Sequence, residues 1–370
     1  MTTQGRLPTI LFVATPPPLG GSNRSLATIL SNLEGRAHRV LACPPFGSFI
    51  EFVKEHDLAD EIIDLPRKPG HPFDRFLRIG ASLVIAWWLI KNRKRTDAIM
   101  ANALTGLNLS TPAAVLTRKP VTVWIHDPVG SAWGRRLGPA LRRLLPHLEL
   151  AAVSPTAEAV AVENRLCERG DAVIIPNPID PDEVLSPSSR DGSPPLRIGY
   201  IGGATPRKGF DLLPAVVSGI EDLPAQWKLY VHLIPNEENA DVWRQLEPFD
   251  TSQVDPVGKT PNIAEIYGNI DIAFIPSRAE SFCRVAAEAM MNGVPVVGSD
   301  IDPLRALLGD DEAGLIFPSG DTQAAIGCLR RLITDAKLRA ELGTAGKKRS
   351  ERFEPQPVTM DLLDLTLRRN

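Results

Sequence analysis

Eleven short apolar runs, each leading into a stretch of helical pattern, constrain this chain more than any other feature. In the first half they read TILFVAT, HRVLAC, DAIMAN, VTVWIH, LELAAVS and AVIIPN, and in the second LRIGYIG, WKLYVHLI, IDIAFIPS, VPVVGS and AGLIF. Runs apolar on successive residues are buried on both faces, the condition of parallel strands sandwiched by helices. An α/β fold follows, and 370 residues exceed one hydrophobic core, so two doubly wound, Rossmann-like domains are expected. Between the two sets lies PNPIDPDEVLSPSSRDGSPP, where proline, serine and charge replace the apolar rhythm as in a linker. Residues 1–185 then form the first domain and 186–352 the second, while 353–370 form a last amphipathic helix that crosses back to the first. If the two sheets face each other, the carboxyl ends of their strands meet on a shared cleft, where ligands of such sheets bind.

Three stretches carry candidate chemistry. LRIGYIGGATPRKGFDLL runs from a strand into Gly202-Gly203 and, past Arg207-Lys208-Gly209, into a helix. A glycine turn lets backbone approach a ligand, and the free N–H groups of the next helix suit a phosphate. Lys208 adds a full positive charge there; one hydrogen bond to a charged group is worth roughly 1.5–3 kcal/mol, or about tenfold to a hundredfold in affinity or rate. A surface Arg-Lys pair at a tight turn is the plainer reading. In the first half, ATPPPLGGSNRSLATIL holds Gly20-Gly21 before a helix that Ser22 or Asn23 is expected to cap. Neither turn has the GxGxxG spacing, which disfavours a nicotinamide-dependent oxidoreductase. The third stretch, ESFCRVAAEAMMNGVPVVGSD, follows the strand NIDIAFIPS; it puts Glu280 in a loop and Glu288 on a helix from Arg284 to Asn292 that Gly293 stops. Two acids beside glycine-lined anion sites suit the hydroxyls of a ribose and a sugar. A loop charge and a solvated helix position explain them as well.

Together these residues resemble the retaining glycosyltransferases of family 4, which have the two-Rossmann GT-B fold. Glu280, Phe282, Glu288-Ala289-Met290 and Gly293-Val294-Pro295-Val296-Val297 fall in register with the family signature. Lys208-Gly209, Gly20-Gly21, Ile125-His126-Asp127 and Pro176-Asn177-Pro178-Ile179-Asp180 match it upstream, and the likeness is weak from residue 45 to 120. The resemblance implies transfer of a sugar from a nucleoside-diphosphate sugar to an acceptor hydroxyl with retained anomeric configuration. It places Glu288 on the ribose of the donor, Glu280 on the transferred sugar, Lys208 on the diphosphate and His126 near the reacting carbon. Backbone N–H groups near Phe282 and Cys283 face the sugar, and Gly20, Gly21 and Gly202 form the donor-binding turns. Two positions depart from the pattern. Gly203 stands where the family usually has arginine, which moves a second phosphate contact to Arg207; Cys283 replaces a glycine and brings a larger side chain into the donor pocket. The implied scheme needs no cofactor and no metal. Asp300-Ile301-Asp302 has a DxD spacing but follows a strand where the family has a variable loop, and it is not taken as a metal site. Two other functions remain open: a sugar-nucleotide epimerase, which needs further acids or histidines as acid/base groups, and a nucleotide-sugar-binding protein without catalysis, suggested by Gly203 and Cys283.

Charge is uneven along the chain. Residues 1–190 hold 22 Lys/Arg against 18 Asp/Glu, and residues 65–143 hold 14 basic side chains against the acids Asp74, Asp97 and Asp127 alone. Such a region attracts anions, and no recognition motif for nucleic acid accompanies it. Within it, RIGASLVIAWWLIKNRKR, residues 78–95, joins an apolar stretch to Lys91, Arg93, Lys94 and Arg95. About twelve apolar residues make a helix of about 18 Å, too short to span a bilayer core of about 30 Å. It reads either as a sheet-covering helix with a solvated charged end or as a peripheral contact with an anionic membrane, which suits a lipid-linked acceptor. Cys43, Cys167, Cys283 and Cys328 form no CxxC pair, and the apolar run Ile10 to Ala14 is too short for a signal-peptide core; a cytoplasmic protein, peripheral to the inner membrane face in the second reading, is expected.

Overall fold

The computed structural model describes residues 6–15, 19–66, 74–126, 132–184, 195–223, 226–232, 244, 246–247, 253–257, 263–309 and 311–368. The chain divides into two compact units, Met1–Pro178 with Pro355–Asn370, and Ile179–Glu354. Linker composition put the boundary at residue 185, but local hydrogen bonds tie the chain to the second unit earlier. The Ile179 N–H donates to the Phe353 carbonyl at 2.9 Å, and the Asn292 side-chain amide donates to the Val184 carbonyl at 2.9 Å. The linker residues 185–194 lie outside the described residues.

In the first unit the strands are β1 (Thr9–Val13), β2 (His38–Cys43), β3 (Glu61–Asp64), β4 (Ala98–Asn102), β5 (Val121–Ile125), β6 (Leu148–Ala152) and β7 (Val173–Ile174). They form one parallel sheet in the order β3-β2-β1-β4-β5-β6-β7. Leu11 of β1 pairs with Val40 on one side and Ile99 on the other, so the most apolar strand is central. The second unit holds β8 (Leu196–Ile201), β9 (Trp227–His232), β10 (Val254–Asp255), β11 (Ile272–Ile275), β12 (Val296–Ser299) and β13 (Gly314–Phe317). Their order, β10-β9-β8-β11-β12-β13, repeats the same doubly wound pattern. The strand order reverses between β1 and β4, and again between β8 and β11, the place where open sheets bind ligands.

Only β3 and β10 are missing from the eleven runs. Both are edge strands: β3 carries Glu61 and Asp64 in four residues, and β10 has two residues. An edge strand is partly solvated and does not need the continuous apolar run of a central one. The core of the second unit closes around Phe210, Phe274 and Phe317, the last two with ring centroids 6.0 Å apart. Each fully buried phenylalanine contributes about 1.5–3 kcal/mol. The last helix, Pro355–Leu367, packs on the Gly21–Asn32 helix of the first unit, where Arg36 Nη1 lies 3.7 Å from Met360 Sδ.

Candidate active site

At the switch point of the second sheet, the chain leaving β8 meets the chain leaving β11. Tyr200 near the end of β8 is buried, which pushes its phenol pKa up and keeps it a neutral donor. Its hydroxyl donates to the Gly203 carbonyl at 2.8 Å and so pins the glycine turn. Thr205 then accepts the Lys208 N–H through its carbonyl at 3.0 Å, which winds Pro206–Lys208 into one tight helical turn. Gly209 closes the turn at φ 71°, a left-handed conformation that only glycine adopts without strain. A Cβ at Gly209 would lie 2.0 Å from the Pro276 carbonyl oxygen. Glycine here therefore lets the lysine turn rest directly on the exit of β11.

The exit loop is held from several sides. The Ser299 hydroxyl donates to the Ser277 carbonyl. The Arg278 N–H donates to the Arg207 carbonyl at 2.8 Å, and Arg207 Nη1 returns a bond to the Ala279 carbonyl at 3.1 Å. Arg278 also forks onto Asp211 at 2.6 and 2.7 Å, and those bonds hold the Asp211 carboxyl below its usual range. The result is a seam that sets Lys208 Nζ 2.5 Å from Glu280 Oε1. Ser277 Oγ donates to the same oxygen at 2.8 Å. The two charged side chains are 22% and 10% exposed, so both sit in a recess rather than on open surface. Lys208 and Glu280, 72 residues apart, are thus one unit, whereas the plain readings of a surface cation and a loop charge are not what the fold shows.

Glu288 lies on the Arg284–Met291 helix and is 5% exposed, so it is no solvated helix position. Arg284 Nε meets its Oε1 at 3.2 Å, one turn earlier on the helix, and the Tyr267 hydroxyl donates to its Oε2 at 2.8 Å. Tyr267 is fully buried, and burial first, then the Glu288 charge, raises its pKa well above the ordinary value. A phenol so placed donates and stays neutral. Gly293 follows at φ 65° and ends the helix as expected.

Cys283 adopts φ 70°, a conformation rare outside glycine. A glycine, as the resemblance implies here, would take that angle without strain. The residue is 6% exposed, and burial pushes its thiol pKa up. The larger side chain expected in the donor pocket is instead almost wholly enclosed by protein. Phe282 is buried as well, edge-on to Phe353 at 5.3 Å between ring centroids. Gly203 is open, since a Cβ there meets nothing within 4 Å, whereas a Cβ at Gly202 would touch the Tyr200 hydroxyl oxygen at 3.5 Å.

The remaining expected residues belong to the first unit. Gly20 is the N-cap of the Gly21–Asn32 helix with φ −82° and no side-chain cap bond. The caps expected from Ser22 or Asn23 do not form because both residues lie inside the first turn. Asn23 is buried and accepts from Asn102 Nδ2 at 3.2 Å, at the reversal between β1 and β4. His126 directly follows β5 and is buried, its ring meeting Trp124 edge-on at 4.4 Å. Asp127 lies outside the described residues. Asp300, half of the DxD pattern, is gripped by Arg305 at 2.5 and 2.6 Å, and Asp302 sits in the first turn of the Asp302–Leu308 helix.

Sequence reasoning missed Ser277, Tyr267, Arg284 and Asp211. Tyr267 is 21 residues from its partner Glu288, and nothing local marks it. Arg284 was within reach, since an arginine four residues before a glutamate on one helix faces it.

Residues 19–183 match the family model described as Glycosyltransferase Family 4, and residues 185–349 match Glycosyl transferases group 1. A phosphatidyl-myo-inositol mannosyltransferase from Mycobacterium leprae (strain TN) is 30% identical over 201 residues, 52% of this chain and 52% of that protein. A D-inositol 3-phosphate glycosyltransferase from Xylanimonas cellulosilytica is 32% identical over 165 residues, 43% of this chain and 39% of that one. The chain spans about half the length of the first of these curated relatives and less of the second. Among solved structures, Anabaena HepE in complex with UDP and glucose superposes with a TM-score of 0.78 at 18% identity, covering 96% of this chain and 98% of that one. A glycosyltransferase from Rickettsia africae gives 0.81 at 16% identity, with 98% of each chain covered. These likenesses establish the fold as the GT-B pair of Rossmann-like domains. With both halves matched, one by each model, the chain belongs to the family 4, group 1 glycosyltransferases.

Proposed function

We propose that this chain is a retaining glycosyltransferase that moves a sugar from a nucleoside-diphosphate sugar to an acceptor hydroxyl in cell-surface polysaccharide or glycolipid assembly. The observation that carries the reading is the Lys208–Glu280 pair, 2.5 Å apart at the switch point of the second sheet. A cation and an anion held together beside a glycine turn match the two ends of an activated sugar, a diphosphate and a ring of hydroxyls.

In this reading the diphosphate lies over the Gly202–Lys208 turn. Lys208 moves part of its hydrogen bonding from Glu280 to the departing phosphate oxygen, where charge grows in the transition state. Glu280, released from full pairing, accepts from a sugar hydroxyl while Ser277 keeps one oxygen in place. Each oxygen of Glu288 retains a lone pair beyond its bond to Arg284 or Tyr267, enough to accept the ribose hydroxyls. Arg207 supplies the second phosphate contact after leaving the Ala279 carbonyl, and the Phe282 and Cys283 amides face the sugar. His126 of the first unit is the histidine that the family resemblance assigns to the reacting carbon. Leaving-group charge is met by an ammonium and amides, so the scheme calls for neither metal nor covalent protein nucleophile. The bidentate Arg305 on Asp300 supports a structural role for the DxD residues.

The donor class is supported by HepE, solved with UDP and glucose, and a lipid-borne or polyol acceptor by the names of the curated relatives. Incubation with uridine, guanosine and adenosine diphosphate sugars and candidate acceptors tests the reading. Release of nucleoside diphosphate with an acceptor product of unchanged anomeric configuration, read by proton NMR, is expected. An inverted product, interconversion of the donor sugar, or tight donor binding without any release overturns it.

A further inference from the structure

The Asp74–Lys91 helix has two apolar faces, and only one of them is covered. Ala81, Ile85, Trp88 and Leu89 are buried, and the helix packs on the neighbouring Ala103–Thr117 helix. Phe76, Ile79, Leu83, Trp87 and Ile90 are all 56–68% exposed. At 100° per residue these five fall within an arc of about 80°, a stripe about 21 Å long on the side away from the core. Leu116 on the Ala103–Thr117 helix, 64% exposed, adds to the uncovered apolar surface. Large apolar side chains scattered singly need no explanation, but five in one stripe mark an interaction surface.

Charge identifies what covers it. Both helices belong to parallel strand-helix-strand crossovers, so both run against the strands and end at the amino edge of the sheet. There, β4 and β5 are neighbours, and the Ile99 N–H donates to the Pro120 carbonyl at 3.0 Å. Lys91 at the end of the first helix, Arg93 and Lys94 just beyond it, and Arg118 after the second therefore collect at one end of the stripe, and all four are exposed. Lys91 Nζ lies 5.2 Å from the Trp87 ring centroid, an exposed tryptophan with its own cation. Arg95 does not join them: it pairs with Glu61 at 2.5 Å and stacks on Trp88. No carboxylate occurs between Asp74 and Asp97, and Asp74 is occupied by Arg78. A second copy pairing stripe against stripe through this helix thus brings more cations and no acid of the helix to meet them, whereas the headgroups of an anionic bilayer supply the opposite charge.

We infer that this stripe docks the first unit onto an anionic lipid surface, with Phe76, Ile79, Leu83, Trp87 and Ile90 at the headgroup-acyl boundary and Lys91, Arg93, Lys94 and Arg118 on the lipid phosphates. Tryptophan and basic residues favour that level of a bilayer, and no helix among the described residues is long and apolar enough to cross one. The inference concerns this surface alone and does not depend on which sugar the second unit carries.

Sedimentation of the full chain with phosphatidylcholine vesicles, with and without phosphatidylglycerol, tests it. Binding to the anionic vesicles that falls as salt rises is expected. The triple variant Lys91→Gln, Arg93→Gln, Lys94→Gln is expected to bind about a hundredfold more weakly, each basic residue being worth about 1 kcal/mol at such a surface. Leu83→Ser with Trp87→Ser is expected to lose at least about tenfold. Thermal shifts with donor sugar should match wild type in both variants, and Lys208→Ala should bind vesicles normally, which separates this surface from the donor site. Absent binding to anionic vesicles, equal binding by both variants, or a dimer in ultracentrifugation that Leu83→Ser with Trp87→Ser dissociates would overturn the inference.

Discussion

Glu280→Gln and Lys208→Ala should move nucleoside-diphosphate affinity in opposite directions. The Lys208 ammonium is engaged by Glu280 at 2.5 Å, so a diphosphate competes with a carboxylate of the protein itself. A charge-assisted hydrogen bond is worth roughly 1.5–3 kcal/mol. With both side chains partly solvated, screening leaves a net pair energy of about 1 kcal/mol. Glu280→Gln removes that competition and keeps a neutral acceptor for Ser277, so it should tighten binding of a bare nucleoside diphosphate by about fivefold. Turnover should fall at least tenfold, because the sugar hydroxyl loses its carboxylate. Lys208→Ala should weaken diphosphate binding and cut turnover by about tenfold to a hundredfold. Calorimetry with the free diphosphate and a product-release assay with the full donor read the two effects separately. If both variants weaken diphosphate binding alike, or if Glu280→Gln turns over at the wild-type rate, the competition argument fails.

Tyr267→Phe leaves buried Glu288 with one donor fewer, so stability should drop by about 1–3 kcal/mol in denaturant unfolding, and the donor KM should rise more than kcat falls. Gly209→Ala puts a Cβ 2.0 Å from the Pro276 carbonyl at a positive φ; a loss of about 2–4 kcal/mol and separation of Lys208 from Glu280 are expected from thermal melts and activity. Burial pushes the His232 pKa down to about 4 against an opposing pull from Asp255, while the unfolded chain titrates near 6.5. Its neutral form contributes stability that is complete above about pH 6.5 and lost as pH falls toward 4, and His232→Gln should flatten that part of the stability-pH curve.

The sheets were legible because central parallel strands must be apolar on both faces, and runs such as TILFVAT and IDIAFIPS can hardly be anything else. The edges β3 and β10 were not, since half-solvated strands tolerate Glu61, Asp64 and Asp255. Lys208, Glu280 and Glu288 stood out through glycines and an acid pair at strand and helix ends. Their environment did not. That Lys208 meets Glu280 depends on loops brought together by the β8–β11 pairing, and that Tyr267 holds Glu288 depends on how the helices before and after β11 pack; sequence spacing carries no trace of either. The cap expected from Ser22 or Asn23 failed for a different reason: Gly20 fills the N-cap and buried Asn23 bonds Asn102 across the sheet's reversal.

The two departures from the family pattern act on different physical quantities. Cys283 holds φ 70° as a glycine there would, so the backbone keeps its course and its amide keeps its direction; the cost is about 1–2 kcal/mol of left-handed strain. With the thiol enclosed, the substitution leaves the lining of the recess nearly unchanged. Gly203 is the opposite case. Its backbone is unstrained and a side chain there would meet nothing within 4 Å, so the missing arginine was not excluded by packing. What is lost is one positive charge beside the turn. The nearest replacements in sequence are Arg207, bonded to the Ala279 carbonyl, and Lys208, bonded to Glu280. Each has N–H groups beyond that bond, so either side chain can share a phosphate with its protein partner. Under the proposed function, phosphate binding is therefore coupled to the loop that carries Glu280, and the two ends of the donor are sensed together.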